Sequence, residues 1–389
     1  MRAVHNENSA VAAEMAPLLR PSWIEVDLGA VAHNFRELRR LVGPYVRIVA
    51  ALKRNGYGMG AAQVARVLKA EGAYGFAVAN AYDAVRLREG GIDAPILLYA
   101  GTGLDAAPEV VRRGFIPSMS TPEDVDAYAK AAAGRKGFEV FLKVDVGLSR
   151  AGVPVEQAAD LARRIVRAGP LTLAGAYTHI HMVTPDAPGY AEWQYARMRG
   201  MFETLAKEGI DIPIRIAAHT PVILTHPGME MNGVDPGHML FGIQLVDAPA
   251  KPVHLRPALK SFKAKLLLTK RLPPREKFAE HGPPLARPDG TLGLLPVGWG
   301  DGLPSLLPAE ARALVRGRRV PFLPRIAMEH CRLDLTDVPE ARAGDEVVLI
   351  GRQGNEEITP EAAAGWWDRP LSQLYAGMRD HIPRVYIPV

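Results

Sequence analysis

The sequence predicts an α/β protein in which a (β/α)8 barrel of the TIM type is followed by a mostly β C-terminal domain. Short apolar runs alternate with amphipathic stretches from about residue 30 to residue 245. Past Pro252 the helical spacing gives way to short β-rich runs separated by Pro and Gly turns. Lys53, Asp145, His179 and His219 all fall at the ends of apolar runs, with Arg150 just beyond one. Barrels of this kind carry their chemistry where strands end and helices begin.

Strands are expected over residues 47–52, 74–79, 95–100, 116–120, 138–145, 173–179 and 214–219, each a short apolar run. Between them, helices are expected over 61–71, 81–89, 122–133, 155–168 and 192–208. In the last of these, Met198, Phe202 and Leu205 recur at helical spacing and read as core. An eighth strand near 231–235 is interrupted by Gly233. Further β runs are expected at 261–269, 291–297, 313–320 and 346–351, with few helical repeats among them. The strand expected at 23–27 joins either part, since Pro21 and Pro252 flank the barrel. The expected division is an N-terminal extension over 1–22, a barrel over 23–251 and a β-rich domain over 252–389.

Composition narrows the function. Hydrophobic residues make up 48% of the chain and charged residues 23%, the balance of an ordinary soluble globular protein. The net charge of +5 is small and its lysines and arginines are scattered, which argues against a nucleic-acid-binding stripe. A single cysteine, Cys331, excludes an internal disulfide and fits a reducing compartment. No apolar run approaches the roughly 20 residues of a membrane span. The first 20 residues lack a signal peptide's basic start and apolar middle, so a cytoplasmic protein without membrane or nucleic-acid partners is expected.

The most informative segment is Val49-Ala50-Ala51-Leu52-Lys53-Arg54-Asn55-Gly56-Tyr57-Gly58-Met59-Gly60. A lysine buried at a strand's end loses hydration and drops in pKa, which suits an imine-forming amine. Glycines after it let the backbone approach a bound group such as a phosphate. A lysine snorkelling out of an ordinary βα turn would read similarly. The segment resembles the pyridoxal-phosphate (PLP) lysine motif of the alanine racemase family, V-V-K-A-N-A-Y-G-H-G. Lys53, Asn55, Tyr57, Gly58 and Gly60 match it, whereas Arg54, Gly56 and Met59 differ. That resemblance implies PLP as cofactor, Lys53 as the Schiff-base lysine and Tyr57 as a phosphate partner.

Further motifs extend the resemblance over roughly residues 21–387, in order and with the family's spacing. Lys143-Val144-Asp145-Val146-Gly147-Leu148-Ser149-Arg150-Ala151-Gly152 resembles K-V-D-T-G-M-x-R-x-G. It implies that Arg150 orients the cofactor's phenolic oxygen and helps hold a substrate carboxylate, tasks that suit a fixed guanidinium fork. Lys143 falls on a position that is carbamylated in some relatives. Tyr177-Thr178-His179 resembles the strand whose histidine lies against the cofactor ring, and Ala217-Ala218-His219-Thr220 is similar to A-A-N-S. By that match Thr220 and the backbone N–H of Gly237 face the phosphate. Gly298-Trp299-Gly300-Asp301-Gly302 resembles G-Y-A-D-G, and Gly351-Arg352-Gln353-Gly354 matches G-R-Q-G. Met328 and Glu329 align with a Met-Asp pair near the substrate carboxylate.

Three departures set this chain apart. Where the family places an arginine against the pyridine nitrogen, Asp235 stands, and a carboxylate favours the pyridinium and a stronger electron sink. No tyrosine lies between Tyr195 and Tyr375, so the family's catalytic tyrosine is missing; Glu280 occupies its position and His281 follows. Either could serve as the second acid/base. A second phosphate tyrosine falls on Asp380, with Tyr375 the nearest substitute. Glu280-His281-Gly282 is also similar to a metal-site motif of D-threonine aldolases and D-serine dehydratases. Their other ligands come as His-x-Cys, whereas His330 and Cys331 are adjacent, so no metal is assigned. The resemblance thus implies an enzyme acting at Cα of a small amino-acid substrate, a racemase or epimerase other than ordinary alanine racemase. The alternatives are an aldolase, transaldolase or dehydratase of β-hydroxy amino acids, or a non-catalytic PLP carrier, against which the β domain argues. A homodimer with shared sites is also implied, with Glu280, His281, Met328 and Glu329 supplied in trans.

Overall fold

The computed structural model describes residues 19–182, 189–272 and 290–389. The N-terminal extension expected over 1–22 lies, as far as residue 18, outside the described residues. The chain divides into two units, one of Ala30–Gly56 with Ala61–Arg256, the other of Met1–Gly29, Tyr57–Gly60 and Pro257–Val389. The first strand, β1 (Ser22–Asp27), belongs to the second unit.

In the first unit, parallel pairing runs without a break around eight strands. They are β2 (Arg47–Ala51), β3 (Gly75–Val78), β4 (Ile96–Leu98), β5 (Ile116–Met119), β6 (Phe138–Asp145), β8 (Leu171–Tyr177), β9 (Ile214–Ala218) and β10 (Gly233–Val234), which pairs back to β2. A two-residue strand, β7 (Val153–Pro154), hangs on β6. Strands covered on both faces read as continuous apolar runs, which is why β3 is buried at all four residues. The helices outside are α1 (Leu28–Val42), α2 (Ala61–Ala70), α3 (Ala81–Glu89), α4 (Ala107–Arg113), α5 (Pro122–Ala131), α6 (Val155–Arg167), α7 (Tyr190–Lys207) and the short α8 (Thr220–Thr225). In α6 the buried residues Ala158, Leu161, Ala162 and Ile165 keep helical spacing, so a single face packs inward. At the start of α5, a reciprocal bond pattern between Thr121 and Asp124 satisfies end groups the helix cannot.

Val49, Ala77, Leu97, Ile116, Phe141, Ala174, Tyr177, Ile214 and Ile216 fill the barrel's interior. Two glycines make that packing possible. A Cβ on Gly175 would lie 2.5 Å from the Phe141 ring, and one on Gly233 would lie 2.9 Å from the Ile216 side chain. The interruption of the eighth strand is therefore a packing requirement, and β10 keeps its pairing with both neighbours.

The second unit is built on a sheet in the order β15-β14-β17-β11-β1-β19, with β18 on β17, and a three-stranded sheet β12-β13-β16. Its strands are β11 (Leu259–Lys265), β12 (Leu268–Arg271), β13 (Thr291–Leu295), β14 (Arg312–Val315), β15 (Arg318–Pro321), β16 (Cys331–Asp334), β17 (Glu346–Gln353), β18 (Glu356–Ile358) and β19 (Arg384–Ile387). Two expectations are corrected here. The run 261–269 is two strands in different sheets: Leu266 N–H bonds to Asp345 O and Leu267 N–H to Leu294 O, so the chain changes sheet between them. The run 313–320 is a hairpin, turned by Arg316 and Gly317 at φ 50° and 73°. The Arg316 guanidinium grips Asp345 through two bonds of 2.7 and 2.9 Å, which secures a residue type unsuited to that backbone. Two helices, α9 (Pro360–Trp366) and α10 (Leu371–Gly377), also interrupt the β run. Among the described residues, no helix is long and apolar enough to cross a membrane.

Gly175→Ala is expected to overpack the barrel and lower stability by about 1–3 kcal/mol, read as a fall in Tm. Gly200→Ala, within α7 and with no atom within 4 Å of the added Cβ, is the control and should gain up to about 1 kcal/mol.

Candidate active site

Lys53 lies two residues past the end of β2 and enters a turn of unusual hand. Arg54, Asn55, Gly56, Tyr57 and Gly58 all have positive φ, between 51° and 80°. Left-handed backbone costs a non-glycine residue about 1–2 kcal/mol, so the turn must be held from outside. Within the barrel unit, Gly56 N–H bonds to Leu52 O at 3.1 Å, and Asn55 Oδ1 accepts from Ala61 N–H at 2.9 Å. Tyr57, buried, belongs to the second unit. The glycines that follow were read as room for a phosphate. In the second unit these glycines also answer to packing: the Tyr375 carbonyl crowds the place of a Gly58 Cβ, and the Tyr386 hydroxyl that of a Gly60 Cβ.

At the C-terminal ends of the barrel strands, the structure gathers Lys53, Lys143, Asp235 and two tyrosines, Tyr99 and Tyr177. Tyr99 donates to Asp235 Oδ2 at 2.8 Å, while Asp235 Oδ1 is buried without a partner. Lys53 Nζ lies 5.7 Å from the centre of the Tyr99 ring, and Lys143 Nζ lies 4.2 Å from that of Tyr177. Burial pulls both ammonium groups below the ordinary lysine value; the nearby Asp235 opposes this and Arg150 adds to it. Burial likewise pushes the Asp235 carboxyl up, against the Tyr99 bond and the charges of Lys143 and Lys53.

Histidines line the same end. His179 and His219 stack with ring centres 4.1 Å apart, and His219 Nε2 lies 2.8 Å from Ile180 O. Desolvation pulls His179 down, and takes His219 and His238 down to about 4, so all three are neutral at physiological pH. Thr220 opens α8, and its Oγ1 accepts from the N–H groups of Gly237 at 3.3 Å and Met239 at 3.4 Å. Arg150 is exposed on the loop after β6. Asp145 shapes that loop by accepting from the N–H groups of Gly147, Ser149 and Arg150 at 2.9–3.2 Å.

Of the residues expected from sequence, Lys53, Arg150, His179, Thr220, Asp235 and Gly237 lie in the barrel unit. Tyr57, Met328 and Glu329 lie in the second unit, and Met328 is 53% exposed. Glu280 and His281 lie outside the described residues. No group of three or more His, Cys, Asp or Glu able to hold a metal occurs among the described residues. Sequence reasoning passed over Tyr99 and Ser118, although both lie at strand ends. It also gave Tyr177 no role of its own.

Two family patterns match the chain: "Alanine racemase, N-terminal domain" over residues 26–245 and "Alanine racemase, C-terminal domain" over 259–386. The chain belongs to the alanine racemase family. An alanine racemase from Symbiobacterium thermophilum is 34% identical over 376 residues, covering 95% of this chain and 97% of that protein. The solved alanine racemase of Bacillus anthracis with bound L-Ala-P has a TM-score of 0.85 at 26% identity, covering 95% of each chain. A histidine racemase from Leuconostoc mesenteroides gives 0.84 at 27% identity, covering 95% of this chain and 98% of that one. Family members are PLP-dependent racemases, and PLP is the cofactor here.

The residues present fit that group. A desolvated lysine supplies the amine, and the unpaired Asp235 Oδ1 can accept from a protonated ring nitrogen. Thr220 Oγ1 accepts from the Gly237 N–H and keeps its own hydroxyl proton, a donor suited to an oxyanion.

Burial raises the Asp235 carboxyl, so the folded apoprotein holds that proton more tightly than the unfolded chain does. The associated stability is present at low pH and is lost as pH rises through the folded value. Asp235→Asn is expected to flatten the apoprotein's Tm-against-pH curve from about pH 4 upward, the unfolded carboxylate value. Thr220→Val leaves two backbone donors without their acceptor, and should cost about 1–3 kcal/mol in urea denaturation.

Proposed function

We propose that this chain is a PLP-dependent amino-acid racemase or epimerase whose substrate is other than plain alanine. The observation that carries this reading is Asp235, a buried carboxylate with one oxygen pinned and one unpaired, where the family pattern has an arginine. When bound, PLP supplies the electron sink for the pair left as Cα loses its proton. Asp235 favours a protonated ring nitrogen and so deepens that sink. Lys53 Nζ, brought towards neutrality by burial, takes and returns the Cα proton on one face. By the family resemblance, Thr220, the Gly237 backbone and Tyr57 would hold the phosphate, His179 would pack against the ring, and Arg150 would anchor the substrate carboxylate with its fork.

The reading includes a homodimer with shared sites. Glu280 or His281 of the partner subunit carries the proton on the opposite face, and the partner's Met328 and Glu329 border the substrate. Supporting this, the Met328 and Glu329 side chains are 53% and 60% exposed, next to a Trp299 that is 43% exposed. The buried single cysteine supports a reducing, cytoplasmic setting. The likeness to a histidine racemase supports a substrate beyond alanine.

The test is to incubate the PLP-loaded protein in D2O with both enantiomers of alanine, serine, threonine, lysine, arginine and histidine, and with glycine plus an aldehyde. Nuclear magnetic resonance and chiral chromatography read the products. An α-deuterated opposite enantiomer from a substrate other than alanine is the expected result, and Asp235→Asn should slow its formation about 100-fold or more. Alanine as the preferred substrate would refute the specificity, and carbon–carbon cleavage or release of a keto acid with ammonia would refute the racemase.

A further inference from the structure

The two oxygens of Asp235 are in different circumstances, and the difference comes from across the barrel. Tyr99, one residue past β4, reaches Oδ2 with its hydroxyl at 2.8 Å, whereas Oδ1 is enclosed and unpaired. The groups facing the carboxylate are Lys53 after β2, Tyr99 after β4, Lys143 on β6 and Tyr177 on β8. Arg150, His179, His219 and His238 lie around them. Neither lysine hydrogen-bonds Asp235, so they contribute charge without direction. Tyr177 has its own proton committed. Ser118 Oγ donates to Leu98 O at 2.6 Å, so in the 2.7 Å contact between Tyr177 Oη and Ser118 Oγ the tyrosine is the donor. That leaves Tyr99 as the directional partner of the carboxylate.

We propose that Tyr99 is a positioning residue for the reaction: its hydroxyl pins Oδ2 and leaves Oδ1 as the one acceptor offered to the cofactor's ring N–H. A carboxylate turns about its last bond with little preference, so without a pin either oxygen, or neither, would face the ring. The pin is itself placed by packing, since the Tyr99 ring lies 5.5 Å from that of Tyr177 and against the barrel's core. A hydroxyl donor also favours the charged form of the carboxylate and opposes the effect of burial. This inference rests on the racemase reading of Asp235.

The test loads wild type, Tyr99→Phe and Asp235→Asn with PLP isotopically labelled at its ring nitrogen. Magnetic resonance follows that nitrogen's protonation against pH, beside kcat and KM on the substrate found in D2O. In Tyr99→Phe, deprotonation is expected to move to lower pH and kcat to fall about tenfold or more, with KM within about twofold. If Asp235→Asn loses the protonated nitrogen while Tyr99→Phe matches wild type, the positioning role is overturned and the Asp235 reading stands. If Asp235→Asn matches wild type, both fall. A lower kcat in Tyr99→Phe with an unmoved nitrogen titration would mean a merely structural tyrosine, and overturns the proposal. Should the variant load poorly, carbon-labelled aspartate in the full-length apoprotein gives the same decision. The Asp235 titration must rise in Tyr99→Phe, and an unchanged one refutes the inference.

Discussion

The loss of hydration inside a closed parallel barrel is the constraint on which this site depends. Eight strands leave no edge for water to enter, and the side chains at their ends are the last layer before solvent. Two lysines, a carboxylate and three imidazoles placed in that layer cannot keep their solution behaviour. Burial acts in opposite senses on the two kinds of charge, lowering the lysines and raising the carboxyl. Their mutual attraction offsets part of it. The outcome is a lysine that gives up its proton more readily than in water beside a carboxyl that holds its proton more tightly, shifts of the kind found where protons are moved.

The turn that follows Lys53 has a conformation of its own. Five consecutive residues in left-handed conformation reverse the chain within one turn, and Asn55 ties the reversal to the first residue of α2. Three of the five carry side chains and pay for that conformation, which persists because the fold over-determines it. The glycines that complete the motif answer to a different demand. Gly58 and Gly60 admit the carbonyl of Tyr375 and the hydroxyl of Tyr386, so the same short segment serves the barrel's lysine and the second unit's packing.

The barrel was legible because its strands are buried on both faces: residues 138–145 read as one apolar run and form one strand. The same logic misled at 261–269, where apolar character continues through Leu266 and Leu267 while the hydrogen bonds pass to another sheet. Arg316 at positive φ was equally hidden, since its backbone is secured by Asp345, 29 residues away. In the site, the rule that chemistry lies at strand ends pointed to Lys53, Asp145, His179 and His219, whereas Thr220 and Asp235 came from the family resemblance. It did not distinguish Tyr99 from core, because an aromatic after an apolar run is usually packing. Only the bond to a residue 136 positions away separates the two.

Two carboxylates stand near the lysines in sequence-identified motifs, and the structure divides their labour. Asp145 is engaged by backbone: although partial burial works the other way, the N–H groups of Gly147, Ser149 and Arg150 hold its carboxyl below the ordinary value. Its charge is therefore consumed in shaping the loop that presents Arg150. Asp235 receives one hydroxyl and keeps one oxygen free, so its charge remains directed at whatever enters the barrel mouth. Exchanging a cation for an anion at that position would leave a buried charge unbalanced in most proteins. Here Lys53 and Lys143 supply the opposite sign, so the barrel can accept the carboxylate. The substitution and its surroundings are consistent only as a set, with Tyr99 giving the direction that the lysines cannot.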